Sequence, residues 1–516
     1  MNARTVAVPA AIAGLLIVGV AAIYTPRLSS TPIYLMHDEV NYALQAHAIA
    51  QSGRDTNGRF MPVYFSETGF EAGRDPVPIY AMAAALLVLP LSEGAVRLPV
   101  ALVGVLNVLL MWALARRLFS SERAGVMAAL LLAFTPGHFV NARLALGILF
   151  PLPFVIVWLI CAERFVTRPS LGASVGAGLA LGLGVYSYLA AVLMMPAYLA
   201  IALATAWREW RRPPAWLLVL GFFTALLPLV AWHWLHPERL AGLMTAYRPL
   251  GEALVPAAPG VLEVFRGRLN VAWSFFSPDL WFIGGTGKGT NSTRMAGLFP
   301  VAFAVLLPVG VYATWRARLG KLGPIILAGC AIAPLATVAS GQLEVYRILF
   351  VLPFGALLAA AGAVRLCQRG GVARWIGIGL VATVGIQFTG VYVDYMGPYR
   401  QRSADWFGGN MRGAVLSAIA RKEAAGGMVW LNARTPIERY WRFYAIATGH
   451  QDWETSPTYY DPATLTAAQI TGRAILVCSA GDPPCQSVGA SVPWKEVERI
   501  VEPDGRESFT VFARGD

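Results

Sequence analysis

Val77-Pro-Ile-Tyr-Ala-Met-Ala-Ala-Ala-Leu-Leu-Val-Leu-Pro-Leu91 is the stretch on which the topology of this chain turns. A helix needs roughly 20 mostly apolar residues to cross a hydrocarbon layer. The 77–91 run is shorter than that, and Pro78 and Pro90 interrupt it. Charge decides its place. Basic clusters recur between the longer apolar runs: Arg116 and Arg117, Arg164 and Arg168, Arg208 with Arg211 and Arg212, Arg316 with Arg318 and Lys321, and Arg365 with Arg369 and Arg374. Were 77–91 to cross, every one of these would fall outside while Met1 stayed inside, against the lysine and arginine excess of cytoplasmic loops. Left uncrossed, the run puts all of them on one side. The sequence therefore predicts a helix lying against the outer face, approached through polar residues.

Composition fixes the class around that run. The 516 residues are 56% hydrophobic and only 14% charged, with positive mean hydropathy, which excludes an ordinary soluble globule. Further spans are expected at 96–115, 124–140, 147–161, 171–188, 190–206, 215–235, 295–314, 322–339, 345–364 and 375–393. With an uncleaved first anchor ending near Tyr24, that makes about eleven. The formal charge of +12 is spread between spans rather than gathered on one face, so no nucleic-acid partner is implied. The predicted architecture is a polytopic α-helical membrane domain, 1–395, with an outer-face loop at 25–95, followed by a small soluble α/β domain, 396–516. In that tail 412–425 has helical spacing, 427–431 and 474–478 read as buried strands, and 507–513 alternates. Cys478 and Cys485 flank a Gly-Asp-Pro-Pro turn and are open to two readings, a disulfide in an oxidising compartment or two free thiols.

The parity of the spans places the N-terminus in the cytoplasm and the unusual polar residues on the other face. The strongest cluster is Tyr34-Leu-Met-His-Asp-Glu-Val-Asn-Tyr42, where Asp38 and Glu39 follow the first span. They suit a general base or cation-binding carboxylates, or an N-cap for a helix starting near Val40. Glu71, Arg74 and Asp75 precede the surface helix, and Asp75-Pro76 is equally an ordinary helix start. Arg97, Arg143 and Arg347 sit at outer ends of apolar runs, where guanidinium can grip a phosphate or snorkel to the interface. Gly284-Gly-Thr-Gly-Lys-Gly-Thr290 fails as a phosphate loop, because Gly289 rather than Ser or Thr follows Lys288, and reads as a flexible outer loop. Asn291-Ser-Thr293 matches a glycosylation sequon. His37, His138 and His450 have no partner histidine at ligand spacing.

Taken together, His37-Asp-Glu39, Gly73-Arg-Asp-Pro-Val-Pro-Ile-Tyr80, Ala95-Val-Arg-Leu-Pro99, Asn141-Ala-Arg-Leu144, Phe276-Ser-Pro-Asp-Leu280 and Glu344-Val-Tyr-Arg-Ile-Leu-Phe350 resemble the GT-C glycosyltransferases. The likeness is to the branch with protein O-mannosyltransferases and the aminoarabinose transferase of lipid A, and covers the membrane part. It implies an inverting enzyme of the bacterial inner membrane, taking a sugar from a polyprenyl-phosphate donor to an acceptor hydroxyl on a lipid, glycan or protein. By that likeness Asp38 is the base, Glu39 supports it, and Arg74, Arg97 and Arg347 hold the donor phosphate. Glu71, Asp75, Arg143 and Lys288 are further substrate contacts. No cofactor is certain, and paired carboxylates leave room for a divalent cation. Arg74-Asp75-Pro76 stands where the family often has Glu-Lys-Pro, and Leu146-Gly147 where an acid commonly follows the Ala-Arg motif. A transporter is the rival reading, with a non-catalytic envelope assembly factor a third. Against transport, the charges gather at one face and no inverted repeat is visible.

Overall fold

In the computed structural model, which describes residues 3–67, 70–167, 170–209, 215–237, 260–285, 289–316 and 322–515, the deciding run folds as helix α3, Pro76–Leu86. Its 11 residues rise about 16 Å, half a hydrocarbon layer. Among the described residues six helices are long and apolar enough to cross a membrane: Glu93–Leu118, Gly147–Phe165, Trp216–Leu235, Gly323–Ser340, Val351–Arg369 and Gly371–Met396. Shorter apolar helices include Val8–Tyr24, Leu171–Ser187, Ala191–Thr205 and Phe303–Trp315. The expected 124–140 span breaks into Glu122–Ala133 and Pro136–Asn141. The cause is local. Pro136 forces Thr135 into extended backbone, with ψ at 120°.

The chain divides into two compact units. The first comprises Met1–Pro26, Asn57–Ala81 and Leu98–Val393. Its helices approach through glycine. A Cβ at Gly310 would run into the Leu358 carbonyl, and one at Gly362 into the Leu306 carbonyl, so Phe303–Trp315 and Val351–Arg369 pack backbone to backbone. The Leu171–Gly184 and Trp216–Leu235 pair uses Gly178 and Gly221 in the same way. A two-stranded hairpin, β1 (Phe65–Glu67) with β2 (Phe70–Arg74), precedes α3.

The second unit comprises Arg27–Thr56, Met82–Arg97 and Asp394–Asp516. The tail thus shares a unit with two pieces of the 25–95 loop. Its sheet has the order β4-β3-β5-β7-β6, with β3 (Met428–Asn432) parallel to β4 (Thr458–Tyr460) and β5 (Ala474–Ser479). β7 (Glu507–Arg514) runs antiparallel to β5 and β6 (Lys495–Val501). Helix Ile437–Ala447 buries Ile437, Tyr440, Trp441, Phe443, Tyr444 and Ala445, all but Phe443 on a stripe at i, i+3, i+4, i+7 and i+8. It packs on Met411–Ala425 and on α2, His37–Ser52. Gly53 ends α2 in the left-handed region, φ 68°, donating to the Ile49 carbonyl.

Cys478 and Cys485 are joined in a disulfide. Closing so short a loop, with a separation of 7 residues, stabilises the tail by about 2–3 kcal/mol in the chain-entropy picture. Reduction should therefore lower its unfolding temperature, measurable with and without dithiothreitol.

Candidate functional site

The His-Asp-Glu turn is built from the second unit. The helix begins at His37 with Met36 at the N-cap position, one turn earlier than the Val40 start considered from sequence. Asp38 and Glu39 thus occupy its first turn, where carboxylates complement the helix dipole. Their fates differ. Glu39 is fully buried, accepts the Met36 N–H at 2.9 Å through Oε2, and receives Arg97 in a fork, Nε to Oε1 at 3.0 Å and Nη2 to Oε2 at 3.1 Å. The Asp38 side chain is 30% exposed, with the His37 Nε2 at 3.5 Å. It is the acid of the pair that meets solvent.

Arg97 was expected on a phosphate or snorkelling at the interface, and the structure places it elsewhere. It is fully buried, and besides the Glu39 fork its Nη1 donates to the carbonyls of Leu28 (3.0 Å) and Pro32 (2.9 Å) and its Nη2 to that of Tyr34 (2.6 Å). A guanidinium has five N–H donors, and all five are engaged. Arg143, also fully buried, follows the same logic in the first unit: its Nη1 and Nη2 donate to the carbonyls of Tyr24 and Pro26. Both arginines staple irregular chain at the end of an apolar helix.

A divalent cation between Asp38 and Glu39 does not fit these residues. Both Glu39 oxygens already accept from a guanidinium, so a cation there would face a like charge at hydrogen-bond range. Among the described residues no three His, Cys, Asp or Glu side chains cluster for a metal.

In the first unit, Asp75 lies immediately before α3, and its carboxylate comes close to Gly147: a Cβ there would lie 3.2 Å from Asp75 Oδ2 and 3.0 Å from the Ser187 carbonyl. The residue standing where the family carries an acid is thus small enough to admit one from another element. Asp75, Glu344, Tyr346 and Arg347 all lie within electrostatic reach of half-buried Tyr188. Arg347 is half-buried, donates to Ser340 Oγ at 2.6 Å, and stacks over the Tyr346 ring at 5.3 Å. Sequence reading missed Tyr188 and Ser340, which carry no charge to betray them. Glu71 and Arg74 lie on β2 with side chains outside the described residues, and Lys288 is outside them altogether.

Beyond Lys288 the loop is pinned rather than loose. Asn291 Nδ2 donates to Asn141 Oδ1 at 2.8 Å, and Asn141 Nδ2 donates to the Gly137 and Asn291 carbonyls. Asn291 is buried, so the sequon presents no glycosylation target. Asn141→Ala would strand the Asn291 amide without its acceptor, at a cost of about 1–3 kcal/mol. The expected result is a lowered thermal midpoint of the detergent-solubilised protein, with Asn141→Asp less affected.

Comparison with known proteins bears on this geometry. Residues 73–232 match the family described as dolichyl-phosphate-mannose-protein mannosyltransferase. No curated protein matches the sequence. The fold is similar to that of ArnT from Cupriavidus metallidurans, in crystal structures bound to undecaprenyl phosphate and in the apo state: each has a TM-score of 0.59 at 16% identity, covering 97% of this chain and 97% of that one. The archaeal oligosaccharyltransferase AglB from Archaeoglobus fulgidus, in complex with an inhibitory peptide and a dolichol-phosphate, gives 0.49 at 11% identity, over 97% of this chain and 74% of that one. The chain has a GT-C fold, that of a multi-pass membrane protein with a small soluble sheet domain.

Proposed function

We propose that the protein is an inverting glycosyltransferase that moves a sugar from a polyprenyl-phosphate donor to an acceptor hydroxyl at the periplasmic face of a bacterial inner membrane. The observation that carries this is the division of labour in the acidic pair: Glu39 is locked beneath the turn, and Asp38 is left partly exposed on a rigid mount. A base must be held within hydrogen-bond reach of the proton it takes, and rigid mounting is how proteins achieve it. Asp38 removes the acceptor hydroxyl proton, the acceptor oxygen forms its bond to the anomeric carbon from the face opposite the phosphate, and the carbon–oxygen bond to phosphate breaks. The polyprenyl phosphate leaves with the electron pair.

Arg347 and Arg74 are proposed to meet that leaving charge. Arg347 has a hydroxyl rather than a carboxylate as its hydrogen-bonding partner among the described residues, which leaves its positive charge available for phosphate. Arg97 is assigned to positioning instead, and Asp75 and Tyr188 to acceptor contact. The ArnT fold and its bound undecaprenyl phosphate support the donor class. The Cys478–Cys485 disulfide supports an oxidising compartment for the tail, the side that about eleven spans and a cytoplasmic N-terminus would give it.

Mass spectrometry of glycolipids and envelope glycans in a deletion strain tests the reading. One sugar should vanish from its acceptor while its polyprenyl-phosphate form accumulates. An unaltered envelope together with an unaltered polyprenyl-phosphate pool would sink it.

A further inference from the structure

The segment from Leu28 to Met36, which delivers the chain to Asp38, runs through turns and bends with no helix or strand of its own. Locally, the Ser30 and Thr31 N–H groups donate to the Arg27 carbonyl. Beyond that turn, a set of side chains reaches its carbonyls. Arg97 takes those of Leu28, Pro32 and Tyr34, while two more are held from the tail: Arg400 Nε donates to the Ser30 carbonyl at 2.8 Å, and the Tyr440 hydroxyl to the Leu35 carbonyl at 2.7 Å.

The tail also holds the segment by its side chains. Tyr34 donates its hydroxyl to Glu502 Oε2 at 2.9 Å, and Glu502 Oε1 accepts the Asn410 N–H at 2.7 Å. Glu93, four residues before Arg97 on the same helix, accepts the Tyr444 hydroxyl at 2.6 Å and pairs with Arg412 at 3.4 Å. The Arg412 guanidinium in turn lies over the Tyr34 ring at 5.6 Å. Tyr440 and Tyr444 are one turn apart on Ile437–Ala447, so a single helix face touches both the approach to Asp38 and the first turn of the helix that carries Arg97.

We infer that the C-terminal domain is a working part of the catalytic site, with Tyr440 as a positioning residue that sets where the Asp38 carboxylate stands. This rests on the reading of Asp38 as the base. Burial, with Glu39 and Glu93 nearby, pushes the Tyr440 phenol well up, so it remains a donor to Leu35 throughout the working pH range. Leu35 is only three residues from Asp38, and a misplacement of about 1 Å at the reacting group is enough to cost some 10²-fold in rate. Removing one donor while keeping the ring should therefore be felt in turnover more than in folding.

The test uses full-length protein in lipid nanodiscs and compares Tyr440→Phe with the parent. Hydrogen exchange of peptides covering 34–42 should accelerate several-fold in the variant with no change elsewhere in the tail. With polyprenyl-phosphate sugars extracted from host membranes as donor, kcat for release of polyprenyl phosphate should fall about tenfold. The KM for the lipid should stay within about twofold, because ground-state binding is untouched. Exchange at 34–42 indistinguishable from the parent overturns the inference, as does a raised KM at unchanged kcat, which would make the tail a substrate-binding module. Asp38→Asn run in the same assay separates the two claims: if it turns over like the parent, the reaction assignment fails, and the exchange arm alone then judges whether the tail sets the turn.

Discussion

Arg97→Lys is expected to abolish transfer and to open the 27–56 segment to protease, although it conserves the charge. The guanidinium serves five acceptors at once, three backbone carbonyls and both oxygens of Glu39, in a planar fork. An ammonium has three donors on a single nitrogen and cannot reach them. Arg97→Ala is worse, since it leaves the Glu39 carboxylate buried without a partner, a loss of about 3–5 kcal/mol. Each abandoned carbonyl adds about 1–3 kcal/mol, against a whole-domain stability of only about 5–15 kcal/mol. Adding Glu39→Gln to Arg97→Ala removes the stranded charge and should restore part of the protease resistance, yet none of the turnover, because the carbonyls remain unheld. Limited proteolysis and donor turnover on the four proteins check this. Parental resistance and turnover in Arg97→Lys would show that the fork is dispensable.

The reason Arg97 was misread from sequence is instructive. An arginine at the outer end of an apolar run looks alike whether it turns outward to lipid phosphate or inward to carbonyls, because backbone acceptors leave no mark in composition. Arg143 hides its partners, Tyr24 and Pro26, for the same reason. What sequence did show was anything decided by solvent. The charge bias kept 77–91 from being read as a span, and the helix found there, α3, has 11 residues. Strands β3, β5 and β7 were legible as apolar or alternating runs, whereas β4 is three residues long and β6 is mostly exposed, so neither gives a periodic signal. Helix Ile437–Ala447 carried its stripe in plain view and was passed over, since four of its six buried residues are aromatic and Tyr440 among them puts a polar tip on Leu35. The grip of Tyr440 on Leu35 spans 405 residues of chain and could only be seen folded. Gly147 was noticed as a missing acid; its use, making room for Asp75, needed the fold as well.

Asp38→Asn should leave the fold intact and remove the chemistry, the opposite signature from Arg97. At the second helical position and partly exposed, the Asp38 carboxylate gains the helix-dipole term, about 0.3–1 kcal/mol, and asparagine keeps its shape. Protease resistance and thermal midpoint should thus match the parent. Turnover should not, because an amide cannot accept the acceptor's proton, and a positioned general base is worth about 10²–10⁴-fold. Asp38→Glu restores the base on a stem longer by one methylene; with the turn held from Arg97 and the tail it cannot retreat to compensate, so it should recover only part of the rate, within about 10²-fold of the parent. Release of polyprenyl phosphate from extracted lipid-linked sugars measures both variants. Parental turnover in a folded Asp38→Asn protein would move the base elsewhere, and Asp75, a carboxylate with a glycine cleared beside it, would be the next residue to change.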